Sequence, residues 1–366
     1  IPQVFNGYTK FLTGKSMVVN GNISNNALAE ITSFDATYTR GVTTYTQSFT
    51  GLSIGGGEAY SFIFDSPLSI NEGTNTVNIS ISNINGGASD DPSDNTQTAT
   101  ITGVTAKPGR VVVAEEATGS WCGWCVRGNV MMEHMNLNYP EYFASIAVHN
   151  GDPMAVAEYD NGLNATGFPS AKVDRQAWID PLQFETAFMD RIGLDPEVIV
   201  SNTAAYTEGT GMVSITSTLN VQEELNGDYR IAVVLTEDEV SGTGSSWNQS
   251  NYYSGGSYGP MGGYESLGSS VSSTAIPYMH VARAIIGGFN GAAGSIPENN
   301  PAGSEHTYTV EYELPENYNW ENMHAITLVI KFSTKKIINA GTSSLIASSA
   351  DNISSFASVN LYPNPA

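Results

Sequence analysis

The only two cysteines of this 366-residue chain, Cys122 and Cys125, lie three positions apart, between a β-branched run and a stretch of helical spacing. That placement constrains the middle of the chain to a strand, a tight connection and a helix. Val111, Val112 and Val113 suit a strand buried on both faces, and Val126, Val130, Met131, His134 and Met135 recur as one face of a helix. The pattern continues with a strand over 143–148, a helix over 153–161, a strand over 171–173 and an amphipathic helix over 181–192. Strands alternating with helices predict an α/β layer with a partly parallel sheet.

On both sides of this region the hydrophobic period is two. Short alternating runs at 16–20, 30–38, 42–52, 60–64, 77–81 and 96–104 are separated by turn clusters such as Gly55-Gly56-Gly57 and Asn85-Gly86-Gly87. They predict an immunoglobulin-like β-sandwich over 1–106. Lys107-Pro108-Gly109 interrupts the pattern and marks a boundary. Beyond Glu197, runs at 198–206, 212–221, 229–236, 307–313 and 325–333 predict a second, jelly-roll-like β-sandwich over 196–341, with a polar, Gly- and Tyr-rich loop over 241–270. The segment 342–366 is Ser-, Ala- and Asn-rich without a period and reads as a linker. The expected class is therefore multidomain α/β plus all-β, with domains at 1–106, 107–195 and 196–341, as the length also suggests.

A formal charge of −22 repels phosphate backbones and anionic headgroups, which excludes nucleic-acid binding. Charged residues make up only 14% and Gly numbers 37, which reads as an exported β-rich protein rather than a cytosolic enzyme. No apolar run reaches the roughly 18 residues of a membrane span. The chain begins at Ile1 without a basic stretch or apolar run, as expected if an export signal has been removed.

The chemistry is expected at the cysteines. Cys122 is expected at a helix N-terminus, where free N–H groups and the helix dipole stabilise a thiolate, as an exposed nucleophile. Cys125, one turn later, is the resolving thiol. Glu116 on the preceding strand is a candidate proton relay, its carboxyl raised in pKa by burial. A cis Pro169 in Gly167-Phe168-Pro169-Ser170 would present the Phe168 backbone to an extended thiol substrate. Competing readings are a structural disulfide and a Glu116 satisfied by backbone or by Lys172. His134 and His149 read as packed or surface residues, and two cysteines with one histidine fall short of a closed zinc site, so no metal ligand is assigned. Asp90, Asp91, Asp94 and Asn95 gather oxygen ligands suited to calcium, with a solvated turn as the plainer reading. Trp247, Tyr252, Tyr253, Tyr258 and Tyr264 would either line a groove or fold their loop onto the sandwich.

Residues 111–175, with Trp121-Cys122-Gly123-Trp124-Cys125 and the Gly167-Phe168-Pro169 turn, resemble the thioredoxin superfamily. The likeness is greater to the 28-kilodalton outer-membrane-protein family of Bacteroidetes, and is carried by Glu115, Glu116, Thr118, Gly119, Trp121, Cys122, Gly123, Trp124, Cys125, Arg127 and Gly128. Val126 departs from that pattern, which commonly has Pro there. His280, Val281 and Arg283 lie in a segment, 278–288, loosely similar to one in the family's β domain. The closing Val359-Asn360-Leu361-Tyr362-Pro363-Asn364-Pro365-Ala366 resembles the start of a type IX secretion sorting domain.

The resemblance implies a thioredoxin-like central domain acting as a thiol-disulfide oxidoreductase on protein or peptide thiols. Cys122, Cys125 and Glu116 would be its catalytic residues, and Trp121, Trp124, Phe168 and Pro169 would contact substrate. It implies no cofactor beyond the redox-active disulfide, a redox partner protein, and a place at the outer membrane, at the cell surface or outside the cell. The alternative is a non-enzymatic surface binding or adhesion protein that uses the thioredoxin fold as a scaffold. A copper-carrying thioredoxin-like protein is the remaining metal alternative.

Overall fold

The computed structural model describes residues 3–4, 9–88 and 92–348. Asp90 and Asp91 of the expected calcium loop, and the whole of the sorting-domain likeness at 359–366, lie outside the described residues. The chain forms two compact units, Ile1–Ala106 and Lys107–Ala366.

In the first unit, a five-stranded sheet is ordered Lys10–Leu12, Thr96–Val104, Gly73–Ser82, Ile31–Arg40 and Thr43–Ile54. Against it lies a smaller sheet of Gln3–Val4, Asn20–Ser24 and Ala59–Ile63. Alternation along Gly73–Ser82 turns Val77, Ile79 and Ile81 inward, where Phe34, Tyr38, Phe62 and Phe64 complete the core. Phe34 of the first sheet meets Phe62 of the second at 5.5 Å, edge to face, as quadrupoles prefer. This is a β-sandwich by packing as well as by period.

The second unit is built on one sheet of 11 strands. Its elements in chain order are β1 (Val112–Thr118), α1 (Val126–Asn138), β2 (Phe143–His149), α2 (Ala157–Leu163), β3 (Ser170–Val173), β4 (Trp178–Ile179), α3 (Phe184–Ile192), β5 (Val198–Thr207), β6 (Met212–Val221), β7 (Tyr229–Glu237), β8 (Val281–Ile286), β9 (Glu305–Glu313), β10 (Met323–Lys331) and β11 (Lys336–Ser348). Across the sheet they run β4-β3-β1-β2-β8-β7-β10-β11-β5-β6-β9. β1 and β2 are parallel, with Thr118 opposite His149, and β3 is antiparallel to β1, with Ala171 opposite Glu116.

A domain break near 195 was expected, but β2 pairs directly with β8, so the helix-covered strands and the later β region share one sheet. Ala147 donates its N–H to His280 O at 2.8 Å at this seam. Period alone cannot reveal such a junction, because it reports which face a strand buries and not which strand lies beside it. At the far end the sheet folds back on itself. The Ser217 hydroxyl of β6 lies 2.7 Å from that of Thr327 on β10, although two strands separate them in the sheet. Val213, Ile215 and Leu219 thereby share a core with Val233, Leu235 and Val329, which gives the sandwich-like packing expected of this region.

Candidate functional site

Every residue of β1 is buried, because α1 covers one face of the strand and an apolar cluster that includes Tyr159 and Leu163 of α2 the other. Two consecutive glutamates in such a strand must point to opposite faces. Glu115 points toward α2. There its carboxylate accepts hydrogen bonds from Arg175 Nε at 2.9 Å, from Arg175 Nη2 at 2.7 Å and from the Tyr159 hydroxyl at 2.8 Å. Glu116 points toward α1, and neither carboxyl oxygen has a hydrogen-bond partner among the described residues.

Burial raises the Glu116 carboxyl well above the ordinary carboxylate range; Arg127 opposes this and Asp180 adds to it. Arg127 is itself committed to Asp180, through Nε at 3.0 Å and Nη2 at 2.6 Å. Satisfaction of Glu116 by Lys172, one of the expected alternatives, does not occur. Lys172 stands opposite Glu115 in the β1–β3 register, and its ammonium lies 4.5 Å from the centre of the Trp178 ring. The room for the Glu116 carboxyl comes from Gly128, where a Cβ would fall 1.6 Å from Oε1. The acid is therefore packed against the first turn of α1, immediately after Cys125.

Since its folded-state pKa is raised, Glu116 makes stability fall as pH rises above the unfolded-state value. Well below pH 4.5 it is protonated in both folded and unfolded chains and adds no pH-dependent cost. As pH rises toward the folded-state value, the unfolded chain releases a proton that the folded one keeps, and stability falls by about 1.4 kcal/mol per pH unit. The stability of Glu116→Gln relative to the wild type is accordingly expected to be lowest in urea melts near pH 4 and to grow as pH rises above the ordinary carboxylate range. A gap independent of pH would show that the carboxyl is not titrating from a buried site.

Cys122 and Cys125 form a disulfide, with Cα atoms 5.3 Å apart. The chain leaves β1 through a turn in which Cys122 N–H donates to Gly119 O at 3.0 Å and Cys125 N–H to Cys122 O at 3.1 Å. The helix begins at Val126 with Cys125 in the cap position. Cys122 therefore sits a turn before the helix, not on its first residue. It was also expected to be exposed, yet only 5% of it is accessible, and Cys125 is fully buried.

The cover is the long loop between β7 and β8. It was expected to line a groove or to lie on the sandwich; it instead straps across the cysteine segment. Ser250 N–H donates to Ser120 O at 2.7 Å and Tyr252 N–H to Gly123 O at 3.1 Å. The Gln249 side-chain amide donates to Cys122 O at 2.8 Å, and the Ser120 hydroxyl to Ser246 O at 2.8 Å. Trp124 is ringed by Tyr252, Tyr253 and Tyr258 at 4.7–5.6 Å, so it serves the strap's packing rather than an open substrate face. Val126 packs with Tyr253, Tyr264 and Val271 of the strap. At its base the strap is closed by reciprocal backbone bonds between Val240 and Tyr278, both 2.9 Å. Trp247 packs with Val240 and Tyr278 at that base.

The Phe168–Pro169 peptide bond is cis, and Pro169 directly precedes β3, which pairs with β1. Trp121 is 50% exposed and meets Phe168 edge to face at 5.3 Å, while its Nε1 donates to Asn150 O at 2.7 Å. Exposed Trp121 thus rests on half-buried Phe168, next to buried Pro169. Beside them, buried His149 and Asp152 pair at 2.6 Å, and Asp152 also accepts the Ser120 N–H at 2.8 Å. Burial would raise the Asp152 carboxyl, but these bonds and one from the Met154 N–H outweigh it and hold it below its usual value. Sequence reading named His149 but not its partner, which lies in an irregular segment.

His134 of α1 is 39% exposed and lies 3.9 Å from Glu185. No group of three metal-ligating side chains occurs among the described residues. No helix there is long and apolar enough to cross a membrane.

The model of the outer membrane protein Omp28 family matches residues 156–346, just over half of the chain. The matched region starts after the cysteine pair and takes in the cis-proline, the strap and the later strands. No curated protein matches the chain. Among solved structures, it is similar to a protein from Agrobacterium tumefaciens, with 15% identity, coverage of 64% of this chain and 93% of the other, and a TM-score of 0.36. It is also similar to the CARDB domain of a Pyrococcus furiosus protein in complex with di-metal ions, at 16% identity over 28% and 89% of the two chains, with a TM-score of 0.24. A domain of the outer membrane lipoprotein Omp28 from Porphyromonas gingivalis is similar at 14% identity over 42% and 90%, with a TM-score of 0.23.

Proposed function

The chain belongs to the outer membrane protein Omp28 family, whose setting is the outer membrane or cell surface, and on that premise we propose that it is an exported thiol-disulfide oxidoreductase-like protein acting on protein or peptide thiols. Cys122 is the attacked and attacking sulfur, Cys125 resolves the mixed disulfide, and Glu116 exchanges the proton. The observation that carries this reading is the orphaned Glu116 carboxyl, packed against Gly128 in the first turn of the helix that follows Cys125. A buried acid without a partner costs stability, and a purely structural disulfide has no use for one, whereas a thiol that gains and loses a proton does.

The strand order β4-β3-β1-β2 and the cis Pro169 support a thioredoxin-like reading of residues 107–195. Trp121, Phe168 and Pro169 provide the face for an extended substrate. The terminal Val359–Ala366 stretch fits export by type IX secretion.

One observation favours the second reading, a surface scaffold with a permanent disulfide: Cys122 is 5% exposed beneath the strap. Equilibration of the full chain with glutathione separates the two. The redox reading expects the pair to titrate within the range that glutathione mixtures span, above about −300 mV. The scaffold reading expects it to stay oxidised at every ratio, and that outcome would sink the enzymatic proposal.

A further inference from the structure

Gln249 has a feature that its place in the strap does not explain. It is 96% buried, since only 4% is accessible, and its side-chain nitrogen donates to both Cys122 O at 2.8 Å and Ser250 O at 2.9 Å. Two carbonyl acceptors fix which end of the amide is nitrogen, because an oxygen turned toward them would be repelled. The Oε1 atom is thereby directed away from both carbonyls, and it is buried without a hydrogen-bond partner among the described residues. An unsatisfied buried acceptor is costly, and the same side chain is anchored on the backbone of the cysteine whose oxidation state changes.

We infer that Gln249 couples the strap to the redox state of the pair: its Oε1 is left without a donor by the disulfide and accepts a hydrogen bond from a cysteine thiol once the pair is reduced. A disulfide offers no S–H, whereas each thiol offers one. The inference rests on the redox reading above and makes Gln249 a positioning residue that favours the dithiol. Two glutathione molecules supply the change. The Cys122–Cys125 bond breaks, the bond of glutathione disulfide forms, and two electrons and two protons pass from the glutathione thiols to the cysteines. Coupling is reciprocal: if the closed strap favours the dithiol, the dithiol holds the strap closed, through the same Ser250 and Tyr252 N–H bonds that fasten it to Ser120 and Gly123.

Redox titration of the full chain against glutathione, for the wild type and Gln249→Met, tests this. Methionine keeps the volume and removes the acceptor, along with the amide's bonds to Cys122 O and Ser250 O, which do not depend on an S–H and so weigh on both redox states. The equilibrium constant for reduction is expected to fall about tenfold, a potential about 30 mV more negative. In the wild type, hydrogen exchange at the Ser250 and Tyr252 amides is expected to slow severalfold on reduction, a measurement that needs no variant to fold. Equal constants for the two proteins together with redox-independent exchange would overturn the inference. If glutathione reduces neither protein, the redox function fails separately, and exchange after reduction by dithiothreitol still decides whether Gln249 senses the thiol.

Discussion

Arg175→Met is expected to lower the unfolding free energy by about 3–5 kcal/mol, the cost of leaving one member of a buried ion pair alone. The Arg175 and Glu115 side chains are 2% and 0% exposed. The guanidinium meets the carboxylate through two nitrogens, donates to Phe289 O at 2.6 Å and lies 3.7 Å from the centre of the Phe289 ring. After the substitution only the Tyr159 hydroxyl would remain to satisfy a carboxylate on the fully buried strand β1. The double substitution Glu115→Met with Arg175→Met is expected to recover much of the loss, because two apolar side chains of similar volume leave no stranded charge. Urea denaturation of the three proteins at pH 7 measures both effects. A single-variant loss below about 1 kcal/mol would mean that the pair is not desolvated as its burial indicates.

Glu116→Gln is expected to slow reduction of the Cys122–Cys125 disulfide by dithiothreitol about 100-fold at neutral pH, the lower range for loss of a positioned acid or base. Glutamine fills the same space against Gly128 and α1, yet cannot take or return a proton. The same variant is expected to be more stable than the wild type at that pH, since it removes an ionising group that burial penalises. A slower reaction in a more stable protein is the signature of an acid retained for chemistry. Stopped-flow tryptophan fluorescence gives the rate, with Trp121 and Trp124 flanking Cys122. An unchanged rate and an unchanged pH profile would leave Glu116 without a catalytic part.

The two glutamates show how far sequence reaches. Alternation within a doubly buried strand places Glu115 and Glu116 on opposite faces, and the shift of Glu116 by burial follows from its neighbours in β1. What each carboxyl meets does not follow. The partner of Glu115 is 60 residues away, at a position whose φ of 53° no local pattern announces. The partner offered for Glu116, Lys172, pairs in register with the other glutamate. Trp121 and Trp124 divide in the same way: they are neighbours in one motif, but one stays half exposed beside Phe168 while the strap encloses the other.

Sequence by itself determined the elements whose causes are local. These are the alternating strands of the first sandwich, the strand, turn and helix around Cys122 and Cys125, and the proline turn before β3. Turn chemistry, hydrophobic period and ring constraints act over a few residues and are written where they act. Tertiary structure alone decided that β2 and β8 join the α/β strands and the later strands in one sheet, and that the strap buries Cys122 and leaves the Gln249 oxygen unsatisfied. Those outcomes depend on backbone hydrogen bonds between segments more than 100 residues apart. Backbone N–H and C=O groups are nearly the same at every residue, so their pairing leaves no mark in the sequence that could be read in advance.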